Sequence, residues 1–290
     1  MTKRIWEPWL VESWRRAADQ GDARAQYRLG VMYEYGQDIP PDEAEAAKFY
    51  LPAAEQGDAD AQVQLARMYE KGRGVEKNLT EAVKWYSRNA EQGNVGSCIH
   101  LAHMYEEGRG VDQDYVEAAR WYREAAERGD AYAQFRLGKM YQNGQGLDQN
   151  YGDAARWYRE AADQFYAAAQ FRLGVCYETG QGVPKDYVLA HAYFNSAAAA
   201  NYDELFGNPY FRSETEGIAA QKRDCIAEKM TPDQISQAQQ LAREIQERLR
   251  IADKKRHEEA QWAAQMIDVL ESALEINKLT LSAAKKLGKK

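Results

Sequence analysis

Ala131 to Asp163 reads AYAQFRLGKMYQNGQGLDQNYGDAARWYREAAD, and this stretch decides the fold. Its leucine, Leu137, belongs to a column that recurs every 36 residues, at Leu29, Leu65, Leu101 and Leu173. Tyrosine follows four positions later at Tyr33, Tyr69, Tyr105, Tyr141 and Tyr177. Glutamine precedes by three at Gln26, Gln62, Gln134 and Gln170, with Cys98 in the middle copy. Alanine recurs at Ala46, Ala82, Ala118, Ala154 and Ala190. An aromatic pair recurs at Phe49-Tyr50, Trp85-Tyr86, Trp121-Tyr122, Trp157-Tyr158 and Tyr193-Phe194. So many independent columns on one period define an internal repeat.

Each copy reads as two helices. In the first copy Ala25, Leu29, Met32 and Tyr33 fall at i, i+4, i+7 and i+8, one face of a helix over about Asp22 to Tyr35. Gly36, Gly72, Gly108, Gly144 and Gly180 should close that helix in successive copies, because glycine takes the left-handed cap freely. The second helix runs from about Asp42 to Gln56, with Ala46, Phe49, Tyr50 and Ala53 as its stripe. Gly57-Asp58, like Gly21-Asp22 and Gly129-Asp130, ends one helix and caps the next. Small residues at Gly30, Ala66, Ala102, Gly138 and Gly174 predict close helix approach, since a helical glycine otherwise costs up to ~1 kcal/mol. One helix pair cannot bury its apolar face alone, but stacked copies can.

The pattern A-x-A-Q-x-x-L-G-x-M-Y-x-x-G-x-G-V, then A-x-x-W-Y-x-x-A-A-x-x-G-D, resembles the Sel-one-like repeat (SLR) family, a relative of the tetratricopeptide repeats. The likeness covers about residues 10–202 and continues to about Glu244 through Arg223-Asp224 and Met230 to Arg243. It implies an all-α, right-handed α-solenoid of antiparallel helix pairs with a scaffold or adaptor role, no catalytic residues and no cofactor. Two departures stand out. Copy one has Gly36-Gln37-Asp38-Ile39-Pro40 for G-x-G-V, and Phe165 replaces the glycine of the fourth boundary. The expected division is a capping half-repeat over 1–21, with Trp14 at the position of Tyr50. Five repeats follow over 22–57, 58–93, 94–129, 130–165 and 166–201. An insertion and terminal helix over 202–230 and a long C-terminal helical segment with a basic tail over 231–290 complete the chain.

The insertion carries Tyr202, Phe206, Tyr210 and Phe211, read either as a loop folded on the last helix or as an aromatic binding loop. A helix is expected from about Glu214 to Lys229. Thr231-Pro232 opens another, with threonine at the cap and proline in the first turn. Ile235, Ala238, Leu241, Ala242 and Ile245 form its stripe, and Trp262 and Met266 lie beyond a polar run.

Net charge is -7, divided as -9 over residues 1–230 and +2 over 231–290, which argues against bulk nucleic-acid binding. No run of about 18 apolar residues predicts a membrane span. The N-terminal residues lack the uncharged apolar core of a signal peptide. Cys98, Cys176 and Cys225 follow no pairing pattern and fit small buried thiols in a reducing compartment, the cytoplasm.

Gly144-Gln145-Gly146 and its counterparts resemble pieces of phosphate loops, but none follows a strand, so they read as turns. Cys98, His100 and His103 share a helix without an evident fourth ligand, so no metal site is expected. Glu81/Lys84 and Glu117/Arg120 read as solvated helix-surface pairs. The informative stripe lies opposite the core on the first helices, which line the concave surface in relatives of this architecture. Its candidate partner-binding residues are Arg24, Arg28, Tyr35, Gln64, Arg67, Lys71, His100, His103, Tyr132, Arg136, Lys139 and Arg172. Asp60 and Glu107 are its acidic members, against seven Lys or Arg, on a body of net -9. A basic groove of this kind suits an acidic segment or acidic protein surface. Alternatively, the cations pair with glutamates one turn along, such as Glu34, Glu70 and Glu178. Gln26 and its equivalents read as bonding backbone at the repeat junctions.

The function that follows is a non-enzymatic adaptor or scaffold holding an acidic partner. Two other readings stand beside it: a cytoplasmic immunity or inhibitor protein that neutralises a toxin or effector, and a structural protein that forms a homo-oligomer through its C-terminal helix. An enzyme would need convergent polar groups in a pocket, whereas repeat columns spread residues along a surface.

Overall fold

The computed structural model describes residues 8–36, 40–199 and 212–248, with scattered positions between 250 and 266. Every regular element among them is an α-helix. The chain forms two compact units, 1–186 and 187–290.

In the first unit α1 (Pro8–Asp19) precedes five first helices and four second helices. The first helices are α2 (Ala23–Tyr35), α4 (Ala59–Lys71), α6 (Val95–Glu107), α8 (Ala131–Asn143) and α10 (Ala167–Thr179). The second helices are α3 (Glu43–Glu55), α5 (Leu79–Glu91), α7 (Tyr115–Glu127) and α9 (Tyr151–Asp163). Each helix packs on the next in sequence, which is the pattern of a solenoid.

Local chemistry sets the helix ends. Asp22, Asp58, Asn94 and Asp130 accept from the backbone N–H three residues on, at 2.6–2.9 Å, and so start α2, α4, α6 and α8. Asp42, Asn78, Asp114 and Asn150 do the same for the second helices. Gly36, Gly72, Gly108, Gly144 and Gly180 close the first helices in the left-handed region. The fourth boundary differs. Phe165 stands at φ 66°, the one described non-glycine residue at positive φ, and Tyr166 starts α10 with no side-chain cap.

The core alternates alanine with large aromatics. Tyr50, Tyr86, Tyr122 and Tyr158 are fully buried beside Leu29, Leu65, Leu101, Leu137 and Leu173. Trp14 of α1 joins Ala25, Leu29 and Met32 in a cluster at the start of the unit. Each buried phenol needs an acceptor. Tyr50 donates to Glu34 (2.7 Å), Tyr86 to Glu70 (3.1 Å), Tyr122 to Glu106 (3.0 Å) and Tyr158 to Gln142 (2.7 Å). The glutamine column bonds backbone across junctions, as the sequence suggests. Gln26, Gln62, Gln134 and Gln170 donate to the carbonyls of Ala18, Ala54, Ala126 and Ala162. Where Cys98 interrupts that column, Ser97 donates to Asn89 (2.7 Å), and Asn89 donates to the Ala59 carbonyl (2.8 Å).

In the second unit α11 (Tyr187–Ala199) and α12 (Arg212–Ala227) pack together. A helix over 232–248, α13, follows. Thr231 and Gln234 form a reciprocal capping box at its start: Gln234 N–H donates to the threonine hydroxyl and Thr231 N–H to the glutamine side chain. Ala238 and Ala242 are buried on its inner face. Ile251, Trp262 and Met266 are exposed. Tyr202, Phe206, Tyr210 and Phe211 lie outside the described residues. One cysteine departs from expectation: Cys98 and Cys176 are buried, but Cys225 is exposed. It sits on α12. Among the described residues no helix is long and apolar enough to cross a membrane.

Candidate functional site

The first-helix stripe divides by chemistry. Arg24 donates to Asp60 at 2.7 Å, lies 3.4 Å from Asp58 and stacks over Tyr27. His100 stacks flat on Tyr86, with ring centroids 4.6 Å apart. His103 places one ring nitrogen 2.8 Å from the Tyr132 hydroxyl and the other 3.3 Å from the Tyr122 hydroxyl. Burial holds both imidazoles below the usual histidine range, and the Arg136 cation adds to that effect at His103. Arg136 pairs with Glu106, donates to the Tyr132 hydroxyl at 2.6 Å and lies over the Tyr122 ring. Tyr132, Arg136, His103 and Arg24 are thus engaged within the protein.

The other stripe cations are not paired in this way. Arg28 lies over the Trp14 ring at 5.2 Å and makes no ion pair among the described residues. Arg67 and Lys71 are exposed on α4, also without an ion pair among them, and Gln64 is half-buried beside them. Lys139 and Arg172 are half-buried on α8 and α10 and likewise make none. Burial, then Arg136 and Arg172, push the Lys139 ammonium below the usual lysine range. Tyr35 is 60% exposed at the end of α2.

The glutamates one turn along are engaged, but mostly from elsewhere. Arg73 lies 3.5 Å from Glu34 and donates to Glu43, while Arg109 lies 3.0 Å from Glu70. These are loop arginines of the following copies. Glu106 differs, because its cation is Arg136 of the stripe. Sequence reasoning missed the loop arginines, although a signal was present. Arg73 and Arg109 follow Glu34 and Glu70 by 39 residues, and Gln181 follows Gln142 by the same step. The G-x-G loops therefore act as turns, and the central arginines of two of them, Arg73 and Arg109, reach back to the preceding copy's glutamate.

The second helices carry a separate surface. Lys84 pairs with Glu81 at 3.2 Å and Arg120 with Glu117 at 2.7 Å, both solvated. Arg88, Arg120 and Arg156 stack over Trp85, Trp121 and Trp157. The cations are thus engaged within the protein, while the buried indole N–H groups of Trp85, Trp121 and Trp157 have no hydrogen-bond partner among the described residues. Among the described residues no three His, Cys, Asp or Glu side chains converge as metal ligands would.

A family model described as Sel1 repeat matches residues 23–58, 59–94, 95–130, 131–164 and 167–202. The solved structure of a Sel1 repeat protein from Oxalobacter formigenes is 33% identical, spans 70% of this chain and 89% of its own, and superposes with a TM-score of 0.60. A protective antigen of uropathogenic Escherichia coli with an SLR fold is 28% identical over 82% of this chain and 56% of its own, with a TM-score of 0.49. No curated protein matches the chain.

Proposed function

The chain belongs to the Sel1 repeat family, and from that premise we propose that it is a non-enzymatic adaptor that holds an acidic segment of a partner protein on its first-helix face. Sel1 repeats build protein–protein interaction scaffolds. One observation carries the finer reading. Arg28, Arg67, Lys71, Lys139 and Arg172 share the first-helix face and have no ion-pair partner among the described residues, in a body of net -9. A sign reversal of that kind steers an acidic partner and sets its register. The compartment we assign is the cytoplasm, where Cys98, Cys176 and Cys225 stay as free thiols. The immunity-protein reading rests on no residue-level feature of this chain.

The test is capture from the native cell, followed by mass spectrometry. Proteins retained by the wild-type chain should be lost when Arg28, Arg67 and Arg172 are each changed to Glu, and should elute with salt. Circular dichroism should be unchanged. Retention of the same proteins by the triple variant would overturn the acidic-partner reading.

A further inference from the structure

Two neighbouring junctions share one frame, offset by the 36-residue period. At the first, His103, Glu106, Tyr122, Tyr132 and Arg136 close on one another through the contacts given above. At the second, the equivalent positions hold Lys139, Gln142, Tyr158, Ala168 and Arg172. Arginine and the buried tyrosine are kept, and three positions change in one direction.

Glu106 becomes Gln142, which still accepts the phenol proton of Tyr158 at 2.7 Å but brings no negative charge. His103, whose burial favours the neutral ring, becomes Lys139, a cation. Tyr132, whose hydroxyl ties His103 to Arg136, becomes Ala168, which supplies neither hydroxyl nor ring. The first junction is balanced, Arg136 against Glu106. The second sets two cations, and no carboxylate, on the same five positions. Burial, then Arg136 and Arg172, hold the Lys139 ammonium below the usual lysine range, with Glu106 of the first junction acting the other way. Half-buried cations that make no ion pair among the described residues cost free energy that a bound anion would return. The backbone is unusual at the same junction: Phe165 sits at φ 66° and Tyr166 leaves α10 without a side-chain cap. Left-handed non-glycine residues are strained and cluster at functional sites.

We infer that Lys139 and Arg172 form a subsite for a single partner carboxylate, an aspartate or glutamate side chain, that supplies the negative charge Glu106 provides at the preceding junction. The inference rests on the acidic-segment reading and gives that segment an anchor point. A carboxylate is the fitting group because the frame already accepts one from Glu106 against Arg136.

Two probes separate this subsite from the wider reading. In the full chain, acetylation of Lys139 by an N-hydroxysuccinimide ester is followed by mass spectrometry, with exposed Lys77 as reference. Glutarate at about 10 mM should slow Lys139 labelling at least about threefold and leave Lys77 unchanged, as expected for an anion seated against two partly desolvated cations. Gln142→Glu supplies a carboxylate from within and keeps the acceptor for Tyr158. That variant should label slowly without glutarate and lose the glutarate effect. Equal protection of both lysines, or of neither, overturns the subsite. The second probe is a fluorescein-labelled octaglutamate peptide, read by anisotropy. Peptide binding that leaves Lys139 unprotected overturns the subsite and leaves the acidic-segment reading standing. Glutarate protection without peptide binding supports the subsite and overturns the wider reading.

Discussion

Two glycines of the repeat look alike in sequence and differ in what surrounds them. Gly129, between α7 and α8, has φ 89°, and a Cβ there would meet nothing within 4 Å. Gly146, the second glycine of its loop, has φ 68°, and a Cβ there would lie 2.1 Å from the Tyr115 carbonyl oxygen at the start of α7. The first needs glycine for its backbone angle alone. The second needs it also because one copy's loop presses on the previous copy's second helix. Gly129→Ala should therefore cost about 1–2 kcal/mol, the left-handed penalty. Gly146→Ala adds a backbone clash and should cost about 2–5 kcal/mol in total. Urea titration of the two variants checks this, and equal losses would refute the contact argument. Side chains show the same dependence on surroundings. Arg28 and Arg136 occupy equivalent stripe positions three copies apart, yet one lies over an indole and the other is locked against a carboxylate.

At the scale of a helix pair, the buried tyrosines join α3, α5, α7 and α9 to their own first helices, through Glu34, Glu70, Glu106 and Gln142. Tyr122 of α7 donates to Glu106 of α6, and Arg136 of α8 neutralises the same carboxylate from the next copy. The pair is partly buried, so removing one partner leaves a poorly solvated charge. Arg136→Gln should lower stability by about 1–3 kcal/mol, whereas Arg28→Gln should change it by less than about 0.5 kcal/mol. The double variant Arg136→Gln with Glu106→Gln should recover most of the loss, because it recreates the neutral pairing of Tyr158 with Gln142. A double-mutant cycle in denaturant measures all three. No coupling between the two positions would mean the ion pair contributes nothing. The pairing also shows why a charge reversal meant to test partner binding belongs at Arg28, Arg67 and Arg172 and not at Arg136, where it would unsettle a junction.

For the whole molecule, the histidines give stability a pH dependence of known sign. Burial lowers the imidazole pKa of His100, His103 and His191. The unfolded chain then binds more protons than the folded one as pH falls through about 6.5, the ordinary histidine value. Stability is full above that pH and declines below it until the folded imidazoles also take up protons. Unfolding free energy measured in denaturant should fall from pH 7.5 to 5.5. The His100→Gln, His103→Gln, His191→Gln variant should flatten that fall. A wild-type curve that is flat or rises toward pH 5.5 would contradict the burial of these rings.

Period, helix pairing, caps and core were legible in the sequence because each depends on contacts that repeat. A leucine, a tyrosine and an alanine that recur every 36 residues meet the same neighbours in every copy, so one copy predicts the rest. The role of Gln26 and its equivalents was legible for the same reason. The charge pattern of the first-helix face was visible as a stripe, but not which of its members are spent inside the protein. Arg24 on Asp60, Arg136 on Glu106, and Glu34 and Glu70 held by Arg73 and Arg109 are settled between copies, across 30 to 39 residues. Tertiary structure decided those pairings, and with them which stripe cations make no ion pair among the described residues. The physical reason is that a side chain's charge is fixed by its identity, while its counter-ion is fixed by which helix the fold brings alongside.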